Sequence, residues 1–483
     1  MPKPTLIKIL ACLAIIAIFW FVPAPAPLTA IGMKVIGIFI GTVLLLSTVD
    51  TVWPAILAVI LLGRSGVTNV NGAIAGTLGN WIIYFILMSF VMTYALNESG
   101  FTDRLVAKFM SMKFVSKSPW TFTLSMATIG LIITCFIDQV PATAFMLAFA
   151  NKVYEELGYD KKDAYPHVAN IMVIYGVNIG GAMTPISHAL AILGIGVYES
   201  VTGATMSLFS YLAFGVPTGI VLFVLLSVAV RLVSWKKLDL SKFEDFDVQR
   251  VLKKQGKMEL REFITVIVFF GTVVMWMLPG VAGMFTNAAW VSTINDFGIT
   301  FWAILAVVLV SVLSVNDKPI INLREVVNGH INWGILFFIA IGCYLGTALS
   351  TESTGVNAWI TANITPLTQA VSPIIVVFIL TAASEILTNF ASNTSTVTVM
   401  TSVGAALALA SNGAINPIGI SLCTIMAGSC AYLMPSSFAT IAMLHGNEWS
   451  DSKKVYVYGI IMMIVTSIVI TFVGYNVGCL VTG

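Results

Sequence analysis

Apolar runs long enough to cross a bilayer alternate with short polar breaks along the whole chain. The long runs occupy 8–22, 33–49, 120–137, 167–198, 208–230, 263–279, 300–315, 371–390, 395–410 and 455–480. Shorter or interrupted ones lie at 54–63, 81–96, 332–349 and 416–446. A helix needs roughly 20 mainly apolar residues to span the hydrocarbon core, or about 17–25 with tilt. The pattern therefore predicts an all-α polytopic membrane protein with about 11 transmembrane helices, plus broken or re-entrant pieces where polar residues interrupt a run.

Composition supports that class and removes others. Of 483 residues, 58% are hydrophobic and 10% charged, against about 25% charged in a soluble domain; mean hydropathy is +0.96. Neither a soluble enzyme nor a disordered chain is compatible with these values. The net charge of +2 comes from 24 basic and 22 acidic residues. With no basic face concentrated for phosphate contacts, a nucleic-acid partner is excluded. Six cysteines (Cys12, Cys135, Cys343, Cys423, Cys430, Cys479) sit in apolar stretches without metal-type spacing, and read as small buried hydrophobes.

Positive charge sets the orientation. Arg231, Lys236, Lys237, Lys242, Arg250, Lys253, Lys254, Lys257 and Arg261 all fall in one loop, while after residue 262 only Lys318, Arg324, Lys453 and Lys454 remain. Basic residues resist translocation, so this loop is expected to be a solvated connector in the cytoplasm, with the N-terminus beside it. Arg104, Lys108, Lys113 and Lys117 mark a second cytoplasmic edge. The first apolar run follows Lys3 and Lys8 and ends in Pro23-Ala24-Pro25-Ala26-Pro27. It reads as a first membrane anchor, with a cleaved signal peptide as the alternative.

The interruptions recur at a spacing of about 250 residues, the signature of internal repeats in carriers. Asn80-Trp81 opens a run ending near Glu98-Ser99-Gly100, as Asn332-Trp333 opens one ending near Glu352-Ser353-Thr354-Gly355. The stretch Thr134-Cys135-Phe136-Ile137-Asp138-Gln139-Val140 answers Thr388-Asn389-Phe390-Ala391-Ser392-Asn393-Thr394. Gly181 to Ala189 answers Ala431 to Ala439, each with a proline at its centre, Pro185 and Pro435. The expected division is a first segment 1–30, a first repeat 31–230, the basic linker 231–262 and a second repeat 263–483. The uneven charge favours an inverted relation between the repeats.

Polar groups within hydrocarbon are costly unless they line a cavity or find partners. Ser392 to Thr396 and their first-half counterparts predict two broken helices, whose free N–H groups suit an anion and whose free C=O groups suit a cation. Asp138 is the sharpest polar intrusion, able to bind a cation, take a proton or pair with His188. Glu385, about two helical turns before Ser392, is placed to face the same cavity. His188 shares its break with Thr184 and Ser187.

Ser392-Asn393-Thr394, followed by Cys430-Ala431-Tyr432-Leu433-Met434-Pro435, resembles the divalent anion:sodium symporter family, with its INDY-like and solute carrier 13 dicarboxylate transporters. The resemblance covers nearly the whole chain in layout. It implies two inverted repeats with re-entrant hairpins, a scaffold domain and an elevator-type moving transport domain, and a homodimer. It also implies a C4 dicarboxylate or citrate held between two Ser-Asn-Thr breaks, with sodium ions against them. Carried over by position, Ser392, Asn393 and Thr394 would touch a substrate carboxylate. Thr388, Ala391, Asn393 and Ser437 would frame one sodium site, and Thr134, Asp138 and Ser187 the other. Gln139, Thr184, His188 and Ser437 complete the expected substrate contacts. The first half departs from the pattern, because Asp138-Gln139-Val140 stands where the family has Ser-Asn-Thr and Val140 offers no hydroxyl. Phe438-Ala439-Thr440-Ile441 likewise replaces Thr-Pro-Pro-Asn.

These features predict a secondary carrier of small dicarboxylates (succinate, malate, fumarate or 2-oxoglutarate) in the inner membrane. It would work by exchange or with altered sodium coupling, and need no cofactor beyond sodium. The rivals are a sodium symporter of the same family and a cation/proton antiporter using Asp138 and Glu385. A membrane enzyme is disfavoured, since neither HExxH nor GxSxG occurs.

Overall fold

The structure is a computed structural model describing residues 3–243, 252, 256–283, 285–286 and 288–481. Arg250, Lys253 and Lys254 of the basic loop lie outside the described residues. Among the described residues the regular structure is helical apart from one two-residue antiparallel ladder, Ser314–Val315 with Lys318–Pro319.

Helix α1 (Lys3–Phe21) packs on α2 (Ala30–Thr48), and α3 (Trp53–Ser65), α4 (Val70–Thr77), α5 (Trp81–Glu98) and α6 (Phe101–Met110) follow. Next comes a hairpin, α7 (Pro119–Thr134) and α8 (Gln139–Glu156), then a split helix, α9 (Ala164–Met183) and α10 (Ala189–Thr202), and the long α11 (Leu208–Val233). Beyond the linker the order repeats. After α12 (Leu260–Gly283), α13 (Ala289–Val312), α14 (Leu323–Gly329), α15 (Trp333–Ser350) and α16 (Val356–Ala370) comes a second hairpin, α17 (Pro373–Phe390) and α18 (Asn393–Ala410). A second split helix, α19 (Pro417–Ser429) and α20 (Ala439–Gly446), precedes α21 (Ser452–Val469), a π-helical segment Ile470–Gly474 and α22 (Tyr475–Val481).

Among the described residues, nine helical stretches are long and apolar enough to cross a membrane, fewer than the run count suggests. The difference has a local cause: Pro119–Thr134, Ala189–Thr202 and Pro417–Ser429 are apolar but shorter than a span, because each belongs to a hairpin or a split helix. The run 167–198 is two helices with a break at 184–188, and 416–446 is likewise split at 430–438.

Lipid-facing stripes confirm the solvent these helices expect. On α11, Ile220, Val224, Val228 and Leu232 are all exposed at four-residue spacing, and on α21 Ile460, Ile464 and Ile468 repeat the pattern. Such continuous apolar surface is tolerated only where a bilayer covers it. Inward faces pack closely, which is what holds helices together once lipid removes the hydrophobic gain between them.

The linker is more than a solvated connector. Arg104 on α6 grips Glu262 at the start of α12 through two parallel bonds, Nε–Oε1 2.6 Å and Nη2–Oε2 2.7 Å, and donates to the Gly256 carbonyl at 2.7 Å. Glu262 is buried. Lys242 pairs with Asp163 at 2.9 Å and lies over the Tyr159 ring. A strip of basic and acidic residues thus folds back onto the helix ends, since each buried charge there requires a partner.

Candidate functional site: the two helix breaks

In the first half, α7 ends at Thr134, the chain turns through 135–138, and α8 begins at Gln139. This tip lies against the last turn of α9. Gly180 makes the approach possible, since a Cβ there would run into the Leu131 carbonyl and the Thr134 hydroxyl. Thr134 Oγ1 donates to the Val177 carbonyl at 2.9 Å. The split then answers: Thr184 Oγ1 donates to the Cys135 carbonyl (2.7 Å) and Ser187 Oγ to the Thr134 carbonyl (2.5 Å). Gln139 is buried, its Nε2 given to the Asn178 carbonyl at 2.9 Å and its Oε1 without a partner. Asp138 caps α8, its Oδ1 accepting from the Val140 N–H at 2.9 Å.

The second half uses the same plan with other side chains. Between α17 and α18 only Ala391 and Ser392 are non-helical. Thr388 Oγ1 donates to the Gly428 carbonyl at 2.5 Å, as Thr134 does to Val177. The groups around the Asn393 amide orient its nitrogen toward the Ser437 carbonyl (3.1 Å), with Thr388 Oγ1 at 2.8 Å. Ser437 spends its own hydroxyl on the Met434 carbonyl at 2.5 Å. Ser392 is the residue before α18 but its side chain caps nothing. The first helical bond is Thr396 N to Ser392 O, so the N–H groups of Asn393, Thr394 and Ser395 have no acceptor among the described residues.

Two asparagines that the sequence reading passed over tie these parts together. Asn389 Oδ1 accepts from the Tyr432 and Leu433 N–H groups at 2.8 and 2.9 Å, holding the unwound stretch after α19 against the hairpin. Asn178 links the halves: its Nδ2 donates to the Ala431 carbonyl (2.8 Å), its Oδ1 accepts from Thr440 Oγ1 (2.7 Å), and its carbonyl holds Gln139. Tyr175 adds a bond to the Tyr432 carbonyl at 2.7 Å. An amide inside a largely apolar helix, one of two on α9 with Asn170, was the signal available for Asn178.

A cavity of about 460 Å³ lies between the first break and helix α5. Asp138, Ser187 and His188 line it from the first break and Ser89, Thr93 and Asn97 from α5, with Phe438 also in the lining. The last three recur at four-residue spacing on one face of α5, a polar stripe readable from the sequence. Gln139, Thr184, Ser392, Asn393, Thr394 and Ser437 lie outside this lining, as do Thr134, Thr388 and Ala391. Asp138 and His188 share the cavity without bonding each other; His188 is buried with Nε2 unpartnered and meets Phe438 edge-on at 6.3 Å between ring centres. Glu385 does not face this cavity. Its Oε1 accepts from Asn389 (3.2 Å), which turns it toward the packed side of α17 where Tyr432 is held.

Two hairpins whose tips are seated on two split helices define a polytopic transporter rather than an enzyme. The chain belongs to the family described as the sodium:sulfate symporter transmembrane region, whose model matches residues 3–482. That membership agrees with the resemblance to divalent anion:sodium symporters. A sodium-dependent dicarboxylate transporter, SdcS, of Staphylococcus saprophyticus is 25% identical over 454 residues, covering 91% of this chain and 84% of that protein. SdcS of Staphylococcus aureus is 23% identical over 485 residues, covering 98% and 90%. Among solved structures, the YdaH transporter of Alcanivorax borkumensis superposes with a TM-score of 0.61 at 12% identity, over 97% of this chain and 98% of that one. The MtrF efflux pump of Neisseria gonorrhoeae gives 0.56 at 11% identity, over 99% and 95%. At such identities these two structures speak for the fold alone.

Proposed function

We propose that the protein is a secondary active carrier of small organic acids of the C4–C5 dicarboxylate class, with succinate, malate, fumarate and 2-oxoglutarate the first candidates. The observation that carries this reading is the start of α18. Three consecutive N–H groups there are unbonded, at the positive end of an 18-residue helix dipole, and such an end favours a carboxylate. Asn393 and Thr394 stand on that turn as the carboxylate contacts, with Ser392 beside them. Thr388, Ala391, Asn393 and Ser437 surround the adjoining space for one sodium ion, chiefly with oxygen atoms.

Coupling is inferred to involve fewer sodium ions than a site in each half would give, or exchange of one acid for another. The carbonyls of Thr134 and Cys135 already accept the Ser187 and Thr184 hydroxyls, which leaves less for a cation in the first half. Asp138 adds a fixed carboxylate there. The cation/proton antiporter reading loses support from Glu385, which bonds Asn389 away from the cavity. The expected setting is the plasma membrane, as a homodimer, with the N-terminus and the 231–262 linker in the cytoplasm. Arg104 joined to Glu262 keeps both basic edges on one side, and the cavity reaches Glu98, near that same edge. A transport domain carrying both hairpins would move against a scaffold containing α5.

Uptake of labelled succinate into proteoliposomes, with and without a sodium gradient and with and without internal dicarboxylate, tests the reading. Removing the Asn393 amide strands the Ser437 carbonyl at a cost of about 1–3 kcal/mol, so Asn393→Ala should lower transport roughly 10- to 100-fold while the protein remains folded. Wild-type rates for that variant would overturn the site.

A further inference from the structure

Helices α7 and α11 both pack against the buried α9 and leave a furrow between them, with a volume of about 500 Å³. Trp120, Leu124 and Thr128 line it at four-residue spacing from α7, and Val224, Val228 and Leu232 answer from α11. The three α11 residues are exposed, so the furrow opens toward the bilayer. Thr128 spends its hydroxyl proton on the Leu124 carbonyl at 2.7 Å, and Ser227 spends its own on Phe223 at 2.8 Å. The walls therefore suit an apolar occupant. From Phe223 to Arg231 the lined stretch of α11 climbs about 12 Å, close to one leaflet's share of a hydrocarbon core of about 30 Å.

One end of the furrow has a different chemistry. Arg231 stands there, its guanidinium carbon 4.9 Å from the centre of the Trp120 ring and 5.5 Å from that of Trp235. The two indoles meet edge to face at 4.8 Å. An indole N–H donates and does not accept, so these rings hold the cation through its charge and leave its N–H donors unspent. Among the described residues no carboxylate lies within ion-pair distance of Arg231, whereas Arg104 has both of its Glu262 bonds. Lys236 and Lys237, exposed just beyond α11, and Lys117, exposed three residues before Trp120, add positive charge at the same end. The first acid to follow, Asp239, is bonded to Ser241.

We propose that this furrow binds an anionic phospholipid from the leaflet on the linker's side. Arg231 donates to the headgroup phosphate, which the guanidinium fork matches, and one acyl chain lies between α7 and α11. The surrounding lysines favour a headgroup with net negative charge over one that carries its own ammonium. Because α7 is the first arm of the first hairpin, the bound lipid bridges that hairpin to α11. The inference goes beyond the carrier reading and is independent of which acid is carried.

The test uses purified full-length protein, stripped of lipid in a non-ionic detergent. Its melting midpoint is followed against rising concentrations of phosphatidylglycerol, phosphatidylcholine or glycerol phosphate, the soluble headgroup. Phosphatidylglycerol should act at a concentration about tenfold lower than phosphatidylcholine, and glycerol phosphate should give no shift over the same range. Arg231→Gln should remove the preference, while Lys257→Gln, which takes an equal charge from the same linker, should keep it. Val228→Trp, which fills the furrow and spares every charge, should weaken the response to both lipids. Equal responses of the wild type to the two lipids would overturn the proposal, whether or not any variant folds. A preference that survives Arg231→Gln, or that Lys257→Gln loses as fully, would mean diffuse attraction to the basic loop and overturn it as well. An unweakened response in Val228→Trp would place the lipid elsewhere, and stabilisation by glycerol phosphate matching that of the lipid would mean a soluble-anion site instead.

Discussion

Apart from one amide bond from Gln139, the first hairpin tip is laced to its split helix by hydroxyls, whereas the second relies on amides. Thr184 and Ser187 reach up from the break to the Cys135 and Thr134 carbonyls. In the second half Asn389 and Asn393 reach down from the hairpin to Tyr432, Leu433 and Ser437. Common to both is a threonine on the last turn before the tip, Thr134 or Thr388, donating to a carbonyl of the helix it meets. The shared element is structural and seats the tip. What differs is which backbone groups stay available: the second break keeps its N–H groups open, and the first closes its own with Asp138 and Pro141. The two halves thus share the way their parts pack while differing in the polar groups at each break.

The contrast can be broken most forcefully at Asn389. Replacing it by leucine strands two buried N–H groups at about 1–3 kcal/mol each. Asn389→Leu should therefore lower the thermal midpoint far more than Gln139→Leu, which gives up one bond and removes an oxygen that has no partner. Equal losses in a detergent melting experiment would mean that the two laces are equivalent. Next in size is the seat itself. A methyl at Gly180 meets the backbone carbonyl of Leu131, whereas one at Gly428 meets the Val397 side chain 2.8 Å away, which can turn. Gly180→Ala should cost about 1–3 kcal/mol through overpacking and slow transport, with Gly428→Ala the milder of the pair in the same assays.

A smaller effect sharpens the backbone argument. Ser395 in α18 occupies the position that Pro141 holds in α8, in the first turn where proline is tolerated. Ser395→Pro removes one of the three open N–H groups and should weaken carboxylate binding by about tenfold, measured by the ligand-dependent shift of the melting curve. Unchanged affinity would detach the carboxylate from that helix end. The smallest effect lies at the linker. The Asp160 N–H and then the Lys242 ammonium hold the Asp163 carboxyl below the usual carboxylate range. With its folded pKa depressed, Asp163 contributes stability above the ordinary aspartate range, and that stability is lost as pH falls through the lowered value. An exposed pair of this kind is worth about 0.2–1 kcal/mol. Acidification, or Lys242→Ala at neutral pH, should modestly increase protease cleavage between residues 239 and 260.

Much of the fold was legible because lipid imposes it. Runs such as 208–230 have no other solvent, and polar interruptions at 134–140, 184–188 and 388–394 break helices wherever a bilayer would leave their groups unpaired. The repeat was legible because both halves place threonine, proline and the Asn-Trp pair in the same order. The cavity was not. Ser89, Thr93 and Asn97 look like ordinary hydroxyl and amide residues inside a span until α5 is seen across from Asp138. Glu385 was placed toward the cavity by helical spacing, but spacing gives a face and not the neighbour that the face meets. The basic loop looked solvated because nothing in its sequence reveals that Arg104, about 150 residues earlier, would bury Glu262.

The sequence alone decided that this is a membrane protein of helices, that its two halves share one plan, and that each half contains a break. Those properties follow from local hydropathy, proline and glycine, and from the cost of an unpaired backbone group in hydrocarbon. Tertiary structure alone decided which parts meet across the breaks, since Asn178 finds partners more than 250 residues away. Asn178 meeting Ala431 and Thr440, and Asp138 lining one cavity with Ser89, Thr93 and Asn97 of α5, are matters of approach in space. The groups that line the cavity come from separate helices and meet only when the chain folds.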